Sequence, residues 1–250
     1  MSTERRTVLD LFSGLGGFSS AFEDADGWTV VTADIEEEFD PDICADVRDL
    51  GPEDLPEPDV VLASPPCPRF SVACIQKIWH HDTERRPKHL PRKADVAQAI
   101  ETVFHTLWLV YELQPDWWFM ENPQGMLRTF IGEPVDQVHY CQYGGDFKKP
   151  TDLWGRHPPM TYRKCSGAPA CHVSNPREVN TFRDESRTRA VDSSNSAERA
   201  KIPYELSDAI RGSIERAYEN PPPEQTTLLA RTDGGNGRSL KAAKDRTPDA

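Results

Sequence analysis

The expected architecture follows from one segment, DVVLASPPCPRFS at residues 59–71. Its first five residues form a short, largely apolar run, which predicts a buried strand, and the small residues and prolines after it predict an abrupt loop. Prolines on both sides of Cys67 fix several φ angles, so we expect the thiol on a stiff support at the carboxyl edge of a sheet. Ligands of open α/β sheets bind at that edge. Taken alone, Cys67 also fits a small apolar side chain at a strand end.

The segment TVLDLFSGLGGFSSAF at residues 7–22 predicts a strand, a glycine turn and a helix. Glycines tolerate the φ values of such a turn, and its backbone N–H groups can approach an anion at the start of the helix. A second predicted strand, residues 28–33, ends in Asp34, whose carboxylate could accept both ribose hydroxyls of a nucleoside. The alternative for Asp34 is an ordinary turn residue at a strand end. Together the two features favour a binding site for an amino-acid nucleoside.

The segment DWWFMENPQG at residues 116–125 follows a predicted helix at residues 94–113. That helix has an apolar stripe, which should pack on the sheet. Residues 117–120 predict a buried strand that leads into Glu121. A carboxyl group at a strand end in an apolar setting should have its protonated form favoured, which suits a proton donor. The alternative is an ordinary ion-paired glutamate.

In order and spacing, these three segments resemble the signature blocks of the DNA cytosine methyltransferases that methylate carbon-5 of the ring, in a compact form similar to phage and viral enzymes. The resemblance covers roughly residues 7–155, with a weaker similarity near residue 199. It implies an α/β fold, with a doubly wound, mostly parallel sheet of the S-adenosylmethionine-dependent methyltransferase (Rossmann-like) type and a small irregular target-recognition region. It also implies a DNA (cytosine-5-)-methyltransferase whose partner is double-stranded DNA.

The resemblance implies roles for individual residues. Its catalytic set consists of Cys67, Arg69, Glu121, Asn122 and Gln142. Its S-adenosyl-L-methionine site consists of Phe12, Ser13, Gly14, Gly16, Gly17, Asp34, Ile35, Asp46, Val47 and Pro65. The adjacent glycines would hold the methionine part, Ile35 would lie against adenine, and Asp46 with Val47 would border the adenine amine. An acidic loop needs no ligand to explain it, which is the alternative for Asp46. Family members carry arginines after the glutamine, whereas the nearest cations here are Lys148 and Lys149.

The implied mechanism is covalent catalysis, because carbon-5 of cytosine is a poor nucleophile. The Cys67 thiolate would add to carbon-6 while Glu121 protonates nitrogen-3, after which carbon-5 would accept the methyl group. Cations in the loop after Cys67 would favour the thiolate. The target base would first be flipped out of the duplex.

The remaining segments suggest the domain organisation. Residues 1–160 are expected to form the S-adenosylmethionine-binding catalytic domain, in which residues 68–93 are a mobile active-site loop rich in basic residues. Residues 161–198 are polar and irregular and correspond to a small target-recognition region. A helix at residues 199–220 should return to the catalytic domain, and residues 221–250 predict a disordered tail.

Cysteine and histidine residues of the polar segment raise the question of a metal. Cys165, Cys171 and His172 could supply metal ligands, with Cys141 as a fourth. Their spacing is not a recognised zinc pattern, so we expect no metal in the active site and leave zinc open elsewhere. The chain has six cysteines at irregular spacings, which favours reduced thiols over a disulfide framework.

The net charge of −12 is unfavourable for a protein that approaches phosphate groups. Either the basic residues are concentrated on one face, as in residues 68–93, or the protein works at high ionic strength, where repulsion is screened. The bias toward arginine and acidic residues favours the second interpretation, with a halophile or its virus as the source. No apolar run is long enough to span a membrane and the amino terminus lacks a secretory signal, so we expect a cytoplasmic, intracellular monomer.

Three functions are consistent with the sequence. The first is methylation of cytosine in DNA. The second is the same chemistry on RNA, or transfer of a modified methyl group from an altered cofactor. The third is a non-catalytic nucleic-acid-binding relative, which should have lost Cys67 or Glu121, although both residues are present. The recognised DNA sequence and any restriction endonuclease partner are left open.

Overall fold

The computed structural model describes residues 5–72, 75–80, 90–167, 172 and 200–221. The strands are β1 (Arg6–Leu11), β2 (Trp28–Asp34), β3 (Ile43–Cys44), β4 (Val60–Ala63), β5 (Trp117–Pro123), β6 (Asp136–His139) and β7 (Pro150–Arg156). The α-helices are α1 (Ser20–Glu23), α2 (Ile75–Ile78), α3 (Ala94–Leu113), α4 (Leu127–Ile131) and α5 (Tyr204–Glu219). Short 3-10 turns are formed by Glu37–Phe39, Val47–Asp49, Pro52–Asp54, Cys67–Arg69 and Tyr140–Tyr143.

The strands form a seven-stranded sheet with the order β3-β2-β1-β4-β5-β7-β6. All pairs from β3 to β5 are parallel, whereas β7 is antiparallel to both β5 and β6. The order of the strands reverses direction between β1 and β4, and ligands of such sheets bind outside the carboxyl ends of the strands at this point. The doubly wound, mostly parallel sheet of the methyltransferase type is therefore confirmed.

Alternate residues of β1 point to opposite faces of the sheet and enter different cores. Val8 packs with Phe22 of α1 and Ile210 of α5 on one face. Leu9 packs with Leu109 of α3 on the other face. The central strands are buried on both faces, which explains why they read as continuous apolar runs.

Helix α5 closes the face that carries α1. The stripe predicted for this helix is buried and consists of Ile202, Leu206, Ile210 and Ile214. The buried hydroxyl of Ser207 joins the two helices, because it donates to the Phe18 carbonyl at 2.6 Å and accepts from the Ala21 N–H at 3.1 Å. The end of the described chain thus packs beside β1.

Two elements of the sheet differ from the sequence prediction. β5 continues through Pro123 because the antiparallel partner β7 pairs with it up to that residue. β7 was not predicted, because buried polar side chains conceal its strand pattern. Asp152 in this strand is completely buried and is bound through both oxygens by Arg128 at 2.6 Å.

Residues 68–93, the expected mobile active-site loop, contain regular and buried structure in their described parts. Helix α2 lies within it, and Trp79 directly after that helix is 2% exposed. Arg92 Nε donates to the Trp79 carbonyl at 2.9 Å, which fastens the segment to the start of α3. None of the helices in the described ranges is both long enough and apolar enough to cross a membrane.

Candidate active site

The loop after β4 and the last residues of β5 lie side by side, and each carries one predicted catalytic residue. The two strands are parallel neighbours, so the residues that follow them leave the sheet side by side. Cys67 begins the 3-10 turn after β4, and Glu121 lies in the last part of β5. Asn122 joins the loops, because its Nδ2 donates to the Pro65 carbonyl at 2.9 Å. Among the described residues, its buried Oδ1 has no hydrogen-bond partner.

Glu121 is only 4% exposed and has two polar neighbours. The Tyr140 hydroxyl donates to Glu121 Oε1 at 2.7 Å. The Lys149 Nζ lies 3.8 Å from the same oxygen and 4.2 Å from the centre of the Tyr140 ring. Such partners offset the cost of burying a carboxylate. We call Glu121, Tyr140 and Lys149 the carboxylate cluster, and it contains one of the two lysines that the sequence offered as the nearest cations.

The electrostatics of Tyr140 connect the carboxylate cluster to Cys67. Burial raises the pKa of the Tyr140 hydroxyl well above its usual range, and the negative charges of Glu121 and of an ionised Cys67 add to that effect. The hydroxyl therefore stays protonated and acts as a hydrogen-bond donor. The hydrogen bond from Asn122 to the Pro65 carbonyl joins the residue after Glu121 to the loop two residues before Cys67, so the predicted nucleophile and the predicted acid lie on directly connected segments.

Gly125 brings the loop after Cys67 against the segment after β5. The Met126 N–H donates to the Phe70 carbonyl at 2.7 Å, and Ser71 forms an antiparallel bridge with Gly125. A Cβ atom at Gly125 would lie 2.0 Å from the Phe70 oxygen, which is far inside van der Waals contact. The close approach of these two backbones requires glycine.

Arg69 has partners outside the immediate neighbourhood of Cys67. Its NH2 lies 2.7 Å from Asp95 Oδ2 at the start of α3. Its carbonyl accepts a hydrogen bond from Trp79 Nε1 at 2.8 Å. Because the guanidinium is already ion-paired, its expected stabilisation of a Cys67 thiolate is weakened.

The turn that carries Gln142 lies beside both ends of the segment predicted to recognise the target. Arg163 NH1 donates to the Gln142 carbonyl at 3.1 Å. The Lys149 Nζ donates to the Ala200 carbonyl at 3.4 Å. The chain therefore leaves toward this segment and returns from it next to the carboxylate cluster.

The loop after β1 adopts left-handed backbone conformations. Gly14 has a φ of 49° and Gly16 a φ of 67°, and the space beside each Cα is open. Phe12 has a φ of 65° although it is not a glycine, so its surroundings must hold a strained conformation. Its N–H donates to the Ala33 carbonyl at 2.8 Å, and its carbonyl accepts from Ser64 Oγ at 3.1 Å.

Asp34 connects this loop to the end of β2. Its carboxylate accepts hydrogen bonds from the Gly14 N–H at 2.8 Å and from the Glu36 N–H at 3.0 Å. A carboxylate can accept about four hydrogen bonds, so acceptor capacity remains for a ligand. Ile35 beside it is 59% exposed and offers an apolar surface at the strand end.

Three other predicted cofactor residues have structural roles of their own. A Cβ atom at Gly17 would lie 2.7 Å from the Ile202 oxygen, so this glycine lets the chain before α5 approach β1. Asp46 caps a 3-10 turn by accepting from the Arg48 N–H at 3.0 Å, and hydrogen bonds from the Arg48 side chain lower the pKa of Asp46. Val47 is buried in the core that contains α3.

An open cavity of about 710 Å³ adjoins the glycine turn. Ser13, Gly14 and Gly16 line it, together with residues of β2 and of the turn that follows β2. Asp34 and Ile35 do not line this cavity. The residues predicted to bind the cofactor therefore extend beyond it, along the ends of the strands.

Several predictions concern residues outside the described ranges. They are Cys171 as a metal ligand, the basic residues Arg85, Arg86 and Lys88 of the segment 68–93, most of the target-recognition region at residues 161–198, and nearly all of the tail at residues 221–250. These remain predictions from the sequence.

Sequence reasoning missed two residues that shape the site. Tyr140 was given no role, although a hydroxyl-bearing aromatic residue two positions before Gln142 was a signal that could have suggested one. Gly125 was part of a quoted segment, but its role depends on a backbone from another loop, which no local pattern reveals.

Comparison with known proteins identifies the family to which this chain is similar. The family model described as C-5 cytosine-specific DNA methylase matches residues 6–138, a range that contains Cys67 and Glu121. A frog virus 3 (isolate Goorha) protein named "Probable DNA (cytosine-5)-methyltransferase" is 31% identical over 174 residues, which cover 66% of this chain and 77% of the viral protein.

Two bacterial proteins are also similar. The type II methyltransferase M.AplI of Arthrospira platensis is 29% identical over 152 residues, which cover 56% of this chain and 39% of that enzyme. The type II methyltransferase M.BsuFI of Bacillus subtilis is 28% identical over 134 residues, which cover 50% of this chain and 29% of that enzyme. The matched regions span less than half of either bacterial enzyme. Because the family model covers more than half of the chain and the viral relative aligns over most of its own length, this chain belongs to the C-5 cytosine-specific DNA methylase family.

Proposed function

We propose that this chain transfers a methyl group from S-adenosylmethionine to carbon-5 of a cytosine that has been flipped out of double-stranded DNA. The observation that carries the proposal is structural: Cys67 follows β4, Glu121 ends the adjacent parallel strand β5 with Tyr140 bound to it, and Asn122 ties the two segments together through the Pro65 carbonyl. A nucleophile and a buried, hydrogen-bonded carboxyl group are the two groups that activation of carbon-5 requires. Membership of the family supports the same reaction.

The chain's own side chains supply the activation of the base. The Cys67 sulfur forms a bond to carbon-6 while Glu121 gives a proton to nitrogen-3, which moves electron density to carbon-5. Bound S-adenosylmethionine supplies the electrophilic methyl group that carbon-5 takes up. Loss of the carbon-5 proton to a base, departure of the Cys67 thiolate and return of the nitrogen-3 proton to Glu121 then restore the ring.

The neighbours of these two residues hold them in position. Tyr140 fixes the orientation of the Glu121 carboxyl through its hydrogen bond, and Lys149 balances the charge of that carboxyl. Asn122 holds the loop that carries Cys67 through its bond to the Pro65 carbonyl. A reacting group must be held within a few tenths of an ångström, so each of these contacts should affect the rate.

The ends of β1 and β2 fit S-adenosylmethionine. The open backbone at Gly14 and Gly16 suits the methionine part, because N–H groups there can approach a carboxylate. Asp34 retains acceptor capacity for the ribose hydroxyls, and the exposed side chain of Ile35 provides an apolar surface for adenine. We assign the methionine, ribose and adenine parts of the cofactor to these residues in that order.

We assign target recognition to residues 161–198 and closure over the DNA to residues 68–93. Support for the first comes from Arg163 and Ala200, which fix the two ends of the recognition segment beside the carboxylate cluster. Support for the second comes from the sequence of residues 68–93, in which basic residues follow Cys67 closely. A flipped base would then lie between the two segments.

The experiment that tests the function is nucleoside analysis of DNA and RNA after incubation with purified protein and S-adenosylmethionine. Both nucleic acids should come from a host that lacks cytosine methylases. We expect 5-methyl-2′-deoxycytidine in the DNA and none with Cys67→Ser. Methylation of RNA alone, a cytosine product with a different mass, or no product from folded protein would each refute the proposal.

A further inference from the structure

A second group of chemically reactive side chains lies beside the turn after β6, outside the proposed catalytic residues. The ligand atoms of Cys141, Cys165 and His172 all lie within 4.8 Å of one another. Cys165 is buried, whereas Cys141 and His172 are half-buried. We call these three residues the thiol cluster. Its members come from three separate positions in the chain, so the fold rather than local sequence brings them together.

The separations within the thiol cluster approach those of a tetrahedral zinc site. Zinc binds sulfur at about 2.3 Å and imidazole nitrogen at about 2.0–2.1 Å, so an ideal tetrahedron places a sulfur and a nitrogen ligand about 3.6 Å apart. The Cys165 Sγ lies 3.6 Å from the His172 Nδ1. Two sulfur ligands would be about 3.8 Å apart, and no ligand atoms of the cluster are separated by more than 4.8 Å.

Hydrogen-bond donors surround the sulfur atoms, as they do in zinc–thiolate sites. The Gly167 N–H points at the Cys165 Sγ at 3.2 Å, and the Gln142 Nε2 lies 3.9 Å from the Cys141 Sγ. Donors directed at sulfur stabilise the thiolate form, which is the form that binds a metal. The backbone of Cys165 is also fixed, because its N–H donates to the His139 Nδ1 at 2.7 Å.

We propose that Cys141, Cys165 and His172 bind a zinc ion that fastens the start of the recognition segment to the Tyr140–Tyr143 turn. Three protein ligands of this type hold zinc with a fourth position for a further side chain or water. The site stands whether or not the chain methylates DNA, because it depends only on these three side chains. Its role is structural. Cys141 directly follows Tyr140, which donates to Glu121, so a zinc ion bound to Cys141 would fix the turn that positions this hydroxyl.

A zinc ion at the thiol cluster would connect two separate parts of the chain. Cys141 lies on the same short turn as Tyr140 and Gln142, while His172 belongs to the segment between β7 and α5. A zinc ion between them would hold that segment against the carboxylate cluster. Metal binding of this kind contributes directly to the stability of small, polar segments that bury little apolar surface.

The test is the metal content of full-length protein, expressed with added zinc and purified under reducing conditions without chelators or a metal-affinity tag. We expect one zinc per chain by elemental analysis, and a cobalt-substituted protein with the visible absorption of thiolate-bound tetrahedral cobalt. Cys165→Ser and His172→Ala should reduce zinc to background. The matched control is Cys44→Ser, which removes an exposed thiol outside the cluster and should leave the zinc content unchanged.

A second measurement keeps the test valid if a variant fails to fold. Wild-type protein stripped with a strong chelator should keep its circular dichroism spectrum, and hydrogen exchange of residues 139–143 should slow when zinc returns. Protein that neither carries zinc nor takes up zinc or cobalt would overturn the proposal. So would folded Cys165→Ser that retains its zinc, or a disulfide between Cys141 and Cys165 in the metal-free native protein.

Discussion

Glu121 has an unusual position for a carboxylate, because it is almost completely buried at the end of a central strand. Both of its polar neighbours approach the same oxygen, Oε1. In the proposed reaction this leaves Oε2 to face the ring nitrogen of cytosine. The hydroxyl of Tyr140 therefore acts as a positioning group, and the Lys149 ammonium compensates the charge.

Replacing Tyr140 by phenylalanine removes this positioning hydroxyl and little else. A hydrogen bond to a charged group contributes about 1.5–3 kcal/mol, so Tyr140→Phe should reduce kcat by about 10-fold to 100-fold while leaving S-adenosylmethionine affinity unchanged. Tyr218→Phe is the matched control, because Tyr218 donates to the carboxylate of Asp116 at 3.1 Å. Equal kcat values for the two variants in single-turnover assays would contradict the role of Tyr140.

Asp10 is a second buried carboxyl group, on the face of β1 that meets α1. Burial raises the pKa of Asp10 from 3.8 to about 7, and a weaker interaction with Ser19 opposes this. The proton is bound more tightly in the folded state than in the unfolded state. The carboxyl therefore favours folding below about pH 4, and this contribution is lost as the pH rises toward 7.

Asp10→Asn keeps the shape of the side chain and removes its titration. Relative to this variant, the wild-type protein should lose about 2–3 kcal/mol of unfolding free energy between about pH 5 and pH 8. Urea denaturation at the two pH values measures the difference. The exposed Asp26 supplies the control Asp26→Asn, which should follow the wild-type curve. Parallel pH dependence of wild type and Asp10→Asn would show that Asp10 titrates normally.

At the level of elements, the site depends on how closely the loop after β4 approaches the segment after β5. The 3-10 turn that carries Cys67 has no regular partner strand, so its position is set by a few backbone hydrogen bonds to that segment. Gly125 permits the closest of these approaches.

Gly125→Ala should move the loop that carries Cys67 without touching the cofactor residues. A Cβ atom 2.0 Å from a carbonyl oxygen forces the backbones apart, and a displacement of about 1 Å at a reacting group costs about 100-fold in rate. The control is Gly212→Ala within α5, where the nearest atom is the flexible end of Arg216 at 3.3 Å. The Gly212→Ala variant should keep full activity in methyl-transfer assays. Normal kcat in Gly125→Ala would mean that the loop position does not limit the reaction.

The sequence predicted a secondary-structure element well where its apolar residues repeat with a single helical or strand period. The helix predicted at residues 94–113 is present as α3 with the same bounds, because its apolar stripe continues for five turns. β7 and the last part of β5 were missed because their residues are polar and become buried only through partners far away in sequence, such as Asp152 with Arg128. Local periodicity cannot reveal burial that depends on a remote ion pair.

At the level of the whole molecule, the chain carries a net charge of −12. Exposed acidic side chains crowd residues 36–40 beside β3, at one edge of the sheet. Lys149 and Arg163 lie beside the carboxylate cluster, toward the opposite edge. In the proposed function, DNA would approach these cations rather than the acidic edge.

The acidic surface should make the protein more stable in salt. Screening of self-repulsion should raise the melting temperature by about 5 °C or more between about 0.1 M and 2 M potassium chloride. DNA affinity should fall over the same range, because the release of counterions from DNA gains less free energy when the surrounding salt is concentrated. Calorimetric melting with and without DNA measures both trends. A melting temperature that falls with salt would contradict stabilisation by screening, and with it the expectation of a halophilic source.

The sequence predicted which two strand ends carry the candidate site, but not the residues that surround it. Cys67 and Glu121 were predicted to act together, and parallel strand ends bring their loops side by side. The neighbours that hold them come from later segments, with Tyr140 from the turn after β6 and Lys149 from the residue before β7. No spacing rule predicts that a residue 19 positions after Glu121 donates a hydrogen bond to it.

The most direct measurement is the detection of a covalent adduct between the protein and DNA that contains 5-fluorocytosine in place of cytosine. The DNA should be a long amplified fragment, so that every short recognition sequence is represented. Fluorine cannot leave as a proton does, so the bond between sulfur and carbon-6 should persist after methyl transfer. We expect mass spectrometry of the digested complex to find the adduct on Cys67, only when S-adenosylmethionine is present, and not in Cys67→Ser. Absence of any adduct from folded protein, or an adduct on Cys74 or Cys141, would contradict the proposed site.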